Sequence, residues 1–257
     1  MSSYYTVPRT RNLFDPGSKE PYKLSRSRLE NFLRCERCFY LDRRLGVDTP
    51  PGFPFNLNSA VDTLLKKEFD AHRANSTRHP LCAAYNLDLI PFAHPSLNVW
   101  RENFQGVQYH HQPTNLIITG AVDDLWQNEE GMIYVVDYKS TSKDSDVTID
   151  AQWQDGYKRQ LEIYQWLLRR NNLSVSSTGY FVYCNGKTDR IAFDGKLEFD
   201  IKILPYSGND SWVEKAIIRA HKCLTRKTIP AANKNCDYCR YREAAKKAEK
   251  RPYGRAR

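Results

Sequence analysis

A mixed central β-sheet flanked by helices, an α/β or α+β sandwich, is the fold this chain predicts. Three observations carry that expectation. Apolar residues recur at helical spacing in the first third of the chain. β-branched and aromatic runs cluster from residue 107 to 139 and again from 178 to 204. Between those runs lies one long amphipathic stretch, and another follows them, so helices bracket the strands.

Taken in order, residues 1–22 are polar and punctuated by Pro8, Pro16, Gly17 and Pro21, which predicts an extended or loose arm. Lys23 to Leu45 predicts a helix capped by Ser25 or Ser27, with Leu29, Phe32 and Leu33 on its apolar face. Gly46 to Pro54 is a Pro/Gly-rich break. Leu57 to His72 predicts a second helix with Val61, Leu64, Leu65 and Phe69 inward. Its acids Asp62 and Glu68 fit a solvated face, the ordinary fate of Glu68 in particular. Pro80, Pro91 and Pro95 cut residues 73–100 into short pieces, and Gly106 to His111 reads as a strand. Ala151 to Asn171 predicts a long helix, Thr178 to Cys184 a strand, and Asn185-Gly186 a tight hairpin turn. One or two strands over 190–204, with a turn at Asp194-Gly195, precede a helix from Trp212 to Leu224. The expected organisation is an arm over 1–22, one domain over 23–245 and a basic tail over 246–257.

Composition narrows the class. The 257 residues carry a net charge of +9 and enough apolar side chains for a core. Residues 1–47 hold ten Lys/Arg against five Asp/Glu, and residues 240–257 hold eight against two, leaving a slightly acidic middle. Basic ends suit a surface that tracks phosphates, or tails that aid solubility. No apolar run is long enough to span a bilayer, and the first residues lack the apolar segment of a signal peptide, so a cytoplasmic protein is expected. The seven cysteines are then expected to be free, metal-bound or redox-active.

Chemistry concentrates between Ile118 and Lys139, read as two strands joined by a polar turn over Gln127–Gly131. The first carries Asp123 and Asp124, and the second ends in Asp137-Tyr138-Lys139. Side chains alternate along a strand, so Asp137 and Lys139 share a face, and strand pairing can add Asp123 to it. Two carboxylates and an ammonium fit a hard divalent cation with oxygen ligands, Mg²⁺ or Mn²⁺, or a solvated surface hairpin. On the long helix, Gln160 and Tyr164 lie four apart on one face, as a polar pair or as an incidental feature of an amphipathic helix. At the ends of the chain, Cys35-x-x-Cys38 matches Cys236-x-x-Cys239. Four thiolates suit a structural Zn²⁺ or an iron–sulfur cluster. The other reading has Cys35 and Cys38 packing as small apolar side chains. Cys82, Cys184 and Cys223 read as core residues.

Together these residues resemble the PD-(D/E)XK nuclease superfamily, and most closely its RecB-like branch, which includes AddB-type nuclease domains and CRISPR-associated exonucleases. The resemblance spans roughly residues 25–245. Gly120-Ala121-Val122-Asp123 matches the Gly-x-x-Asp strand end, Asp137-Tyr138-Lys139 the Asp/Glu-x-Lys strand, and Gln160 to Tyr164 the branch's Gln-x-x-x-Tyr helix. It implies a restriction-endonuclease-like core and metal-dependent phosphodiester hydrolysis. Asp123 and Asp137 would hold the metal, helped by the Tyr138 carbonyl. Lys139 would position or activate water, and Gln160 and Tyr164 would hold nucleic acid or brace the site. The sequence departs from the branch twice. Asp62 stands where the branch carries a metal-binding His, and the cysteines divide two and two rather than one and three, which makes zinc a rival to a [4Fe-4S] cluster.

The leading expectation is thus an Mg²⁺- or Mn²⁺-dependent nuclease that hydrolyses phosphodiester bonds, of DNA sooner than of RNA, exonuclease-like, in repair, recombination or defence. The alternative is a catalytically degenerate nuclease fold that binds nucleic acid or supports a helicase. A cysteine-based redox or metal sensor would leave the acidic residues unexplained. No Gly-x-x-x-x-Gly-Lys-Ser/Thr phosphate loop occurs, so unwinding would fall to a helicase or another partner in repair or defence.

Overall fold

The computed structural model describes residues 8–50, 52 and 56–250. In chain order the elements are β1 (Tyr22–Ser25), α1 (Arg26–Arg34), α2 (Glu36–Leu45), α3 (Asn56–Ala74), α4 (Pro80–Ala84), β2 (Ile90–Pro91), α5 (Leu97–Trp100), β3 (Val107–His111), β4 (Leu116–Gly120), β5 (Asp124–Gln127) and β6 (Ile133–Thr141). They continue with α6 (Asp155–Arg170), β7 (Thr178–Gly186), β8 (Phe199–Ser207), α7 (Val213–Leu224) and α8 (Asp237–Glu249). The chain forms two compact units. One comprises Phe53–His110 and Ile117–Val213; the other comprises Met1–Gly52, His111–Leu116 and Glu214–Arg257.

The expected mixed sheet is the frame of the first unit. Its strand order is β2-β5-β6-β7-β8. β5 and β6 are antiparallel, β6 and β7 parallel, and β7 and β8 antiparallel. A parallel neighbour needs a crossover, and α6 supplies it between β6 and β7. Alternation along β6 sends Val136 and Tyr138 to one side, where they join Leu65 and Phe69 of α3, Trp126 of β5 and Val182 of β7 in an apolar cluster. The other side, carrying Val135, Asp137 and Lys139, faces α6. A Cβ on Gly179 of β7 would meet Leu161 of α6 at 2.7 Å.

Several boundaries differ from the sequence reading. The first strand of the expected hairpin is two strands: β4 stops at Gly120, residues 121–123 break, and β5 starts afresh at Asp124. β4 pairs with β3 instead of joining the five-stranded sheet. The chain leaves one sheet for another at Asp123. Asn185-Gly186 is not a turn, because β7 pairs with β8 through Gly186↔Phe199. The tight turn lies at Asp194-Gly195, where both residues have positive φ (46° and 69°) and Lys196 N donates to Phe193 O at 2.8 Å. On α3, Leu65 and Phe69 are buried as expected, but Leu64 is 63% exposed.

In the second unit, the stretch expected as one helix over Lys23–Leu45 is a short strand and two helices. The break falls at Cys35, whose extended backbone (φ −161°, ψ 107°) ends α1 and caps α2. Residues 8–22 do not hang loose. Arg9 N donates to Gly46 O and Phe14 N to Arg43 O, both at 2.8 Å, and the Arg9 guanidinium reaches Asp42. α8 carries order past the expected tail boundary, to Glu249. Residues 1–7, 251–257, and Pro51 and Pro54 of the expected break lie outside the described residues. Among the described residues no helix is long and apolar enough to cross a membrane.

Candidate active site and thiol centre

β6 sets Asp137 and Lys139 two residues apart on the face toward α6. Asp137 is fully buried, and the Lys139 ammonium forms an ion pair with its Oδ2. Lys139 sits above the ordinary lysine range. Burial acts to lower it, and the negative charges of Asp137 and then Asp123 outweigh burial. Its ammonium also lies 4.7 Å from the centroid of the Tyr157 ring on α6.

Asp123 occupies the break between β4 and β5, where no ladder claims its backbone. Its Oδ2 accepts from Tyr138 N at 3.0 Å, which ties it to the peptide between Asp137 and Lys139. Asp62, on α3, belongs to the same group. Its carboxyl is held above the usual range by burial first, with the facing Asp123 charge adding to this against a hydrogen bond from Lys66. Lys66 was not singled out from the sequence. Its Nζ lies 2.8 Å from Asp62 and 3.8 Å from Asp123, and its i,i+4 spacing from Asp62 was the signal available. Asp62, Asp123 and Asp137 are hard oxygen donors, although among the described residues they are not grouped as closely as the four thiols. Lys66 lies against Asp62 and Asp123, and Lys139 pairs with Asp137.

Asp124, one residue along, has a different task. It is fully buried and accepts from Arg73, from Arg101 Nη2 at 2.8 Å and from Tyr138 Oη at 2.6 Å. Burial first and then the Asp124 charge push the Tyr138 phenol well above its ordinary pKa, so it stays a neutral donor. Arg101 also donates from Nε to Asp123 O at 3.0 Å and from Nη1 to Asp70 at 2.9 Å. This network therefore anchors the backbone of the break that presents Asp123. Nothing in the sequence pattern marked Arg73 or Arg101. Asp124→Ala is expected to cost about 1–3 kcal/mol, read as a lowered midpoint in urea unfolding. It removes the buried acceptor that Tyr138 shares with two half-buried guanidiniums, and both guanidiniums keep Asp70.

On α6, Gln160 Nε2 donates to Tyr164 Oη at 3.0 Å, so the four-residue spacing is a real pair. Both are buried. The Gly-x-x-Asp pattern finds its reason here: a Cβ on Gly120 would lie 2.7 Å from Tyr164 Cε1 and 3.0 Å from Leu167 Cδ1. Only glycine lets α6 lie this close to the end of β4. Gly120→Ala is expected to destabilise the fold by about 1–3 kcal/mol through overpacking. Thermal melting reads the loss, and near-ultraviolet circular dichroism reads the displaced Tyr164.

The four thiols of the two Cys-x-x-Cys pairs converge within the second unit. Among the described residues they are the one group of His, Cys, Asp or Glu whose ligand atoms all lie within 4.8 Å of one another. Sγ separations are 3.7 Å for Cys35–Cys239, 3.6 Å for Cys38–Cys236 and 3.9 Å for Cys38–Cys239. The two pairs are built alike. Cys35 caps α2 and Cys236 caps α8, with Cys38 and Cys239 one turn on, so both helix N-termini face the sulfurs. Asn233 Nδ2 to Arg34 O (3.0 Å), Arg37 Nη1 to Pro230 O (3.2 Å) and Tyr40 Oη to Arg226 O (3.0 Å) hold the two segments together. The remaining thiols are core residues, as read: Cys82, Cys184 and Cys223 are buried, and burial pushes them up to about 12, 11 and 11.

The profile of the PD-(D/E)XK nuclease superfamily matches residues 56–244. No curated protein matches the chain. Among solved structures, the crystal structure of SSO0001 is similar over 88% of this chain and 86% of its own, at 16% identity and a TM-score of 0.38.

Proposed function

Because the chain belongs to the PD-(D/E)XK nuclease superfamily, we propose that it hydrolyses phosphodiester bonds of DNA with Mg²⁺ or Mn²⁺ bound at Asp123 and Asp137. The observation that supports this best is the geometry around β6: Asp137 and Lys139 pair on one face, and Asp123 is tied to the peptide between them. Asp62 would be the third carboxylate, in place of the histidine of the RecB-like branch. The bound cation would supply Lewis acidity and a more acidic water. Lys139, held as an ammonium between acids, orients the attacking water and offsets charge developing on the phosphate. Gln160 and Tyr164 brace the floor of the site against Gly120. Action from DNA ends, and work beside a helicase or another protein of repair, recombination or defence in the cytoplasm, remain parts of the same reading.

At the thiol centre we propose zinc rather than a [4Fe-4S] cluster. With Zn–S bonds of about 2.3 Å, a tetrahedral site sets its sulfurs roughly 3.8 Å apart. The separations of 3.6–3.9 Å support that spacing. A four-iron cube has to fit between its thiolates and drives them much further apart.

A second reading has its own support. The Lys66 ammonium already lies against Asp62 and Asp123, as it would in a nuclease fold that holds nucleic acid without cutting it. End-labelled single- and double-stranded DNA, incubated with Mg²⁺, Mn²⁺ or chelator, separates the two. Metal-dependent products support the nuclease, and a gel shift without products supports the binding module.

A further inference from the structure

The face of α6 that carries Gln160 and Tyr164 continues outward beyond the residues used so far. Trp153, Tyr157, Gln160 and Tyr164 follow one another at spacings of four, three and four, along a single helical stripe. Their exposure falls steadily along it. Trp153 is 64% exposed, Tyr157 half-buried, Gln160 9% exposed and Tyr164 3%. The rings are in contact: Trp153 meets Tyr157 edge to face at a centroid separation of 5.6 Å with an interplanar angle of 81°. The face of Tyr157 in turn covers the Lys139 ammonium.

We propose that Trp153 is a stacking platform for an unpaired base, so that the site prefers a single-stranded or frayed DNA end. This inference rests on the nuclease reading for the position of the scissile phosphate. Trp153 is large, apolar and open to solvent, yet it is not on a loose segment. It occupies a 3₁₀ turn, Gln152–Gln154, at the start of α6. The side chain of Gln154 is buried and pins that turn, accepting from Ala151 N at 3.0 Å and donating to Thr148 O at 2.6 Å. A tryptophan held open in this way loses little freedom when a base stacks on it.

The distances suit the role. Through Tyr157, the Trp153 ring lies no more than about 10 Å from the Lys139 ammonium, roughly one or two nucleotides of extended single strand. A base resting on Trp153 would therefore place a nearby phosphate at Lys139. Bases inside a duplex already stack on their neighbours and offer no free face, so the platform discriminates by strandedness and not by sequence.

The test measures binding by fluorescence anisotropy in an Asp137→Asn background, where cutting does not interfere. The probes are a short fluorescein-labelled single-stranded DNA and the same sequence as a blunt duplex. Trp153→Ala is expected to weaken single-strand binding about tenfold and duplex binding less than about twofold, with Trp153→Phe recovering most of the loss. Equal weakening on both probes, or none on either, overturns the platform. Cleavage by the chain with native Asp137 separates this proposal from the nuclease reading. Metal-dependent cutting whose preference for single strands survives Trp153→Ala unchanged overturns the platform alone. Strand-selective binding through Trp153 by a protein that cuts nothing supports the platform and overturns the nuclease.

Discussion

Replacing Lys139 by alanine is expected to lower DNA cleavage by about 10²–10³-fold, the usual loss when one group that stabilises transition-state charge is removed. The ammonium has no substitute on its strand face, where its partners are the Asp137 carboxylate and the Tyr157 ring. Asp137→Asn is expected to do the same by removing a metal ligand. Folding complicates both variants, because Lys139→Ala strands a fully buried carboxylate. Without metal that variant should lose about 3–5 kcal/mol of stability. The double variant Asp137→Asn/Lys139→Met removes both charges and should recover most of that stability, read in urea unfolding, while remaining inactive. A double variant that cuts DNA would remove both residues from the chemistry. Single variants that melt like the original protein would show that the pair is not the buried ion pair described here.

The second large effect concerns the thiol centre. The purified protein is expected to contain about one zinc per chain and to be colourless. Brown protein with a broad visible band and bound iron would overturn the zinc assignment. Cys35→Ser and Cys239→Ser should each abolish metal retention. Structural zinc contributes about 10–16 kcal/mol of binding energy in small zinc-folded peptides. If even a third of that supports this unit, the melting temperature should fall by about 10 °C or more. The serine variants keep the small side chain, so a melt unchanged from the original would favour plain packing of Cys35 and Cys38 over a metal site.

Much of the candidate site's arrangement was legible because its motifs are local. Asp137 and Lys139 are two apart on one strand, and Gln160 and Tyr164 four apart on one helix, so period alone assigns each pair a face. The matched Cys-x-x-Cys pairs were legible for the same reason: each is one turn of chain, repeated. Element boundaries were less so. Asn185-Gly186 carries a strong local turn signal, yet the ladder from Thr178↔Ser207 to Gly186↔Phe199 extends β7 through it. Nine residues of pairing outweigh one dipeptide's preference. Lys23–Leu45 has continuous helical spacing, and its break at Cys35 becomes intelligible only beside Cys239, 204 positions away.

By itself, then, the sequence determined the mixed α/β fold, the acidic strand pair and the two thiol pairs, since each is written in short-range periodicity and residue type. Only the tertiary structure decided which of two adjacent acids does which task. Asp123 turns to the backbone of β6, while Asp124 is taken by Arg73, Arg101 and Tyr138. It alone placed Lys66 between Asp62 and Asp123, and it alone explained Gly120, whose missing Cβ leaves room for Tyr164. The physical reason is common to all three. Charge pairing and close packing depend on what approaches from distant parts of the chain, and no local pattern encodes a neighbour that arrives from elsewhere.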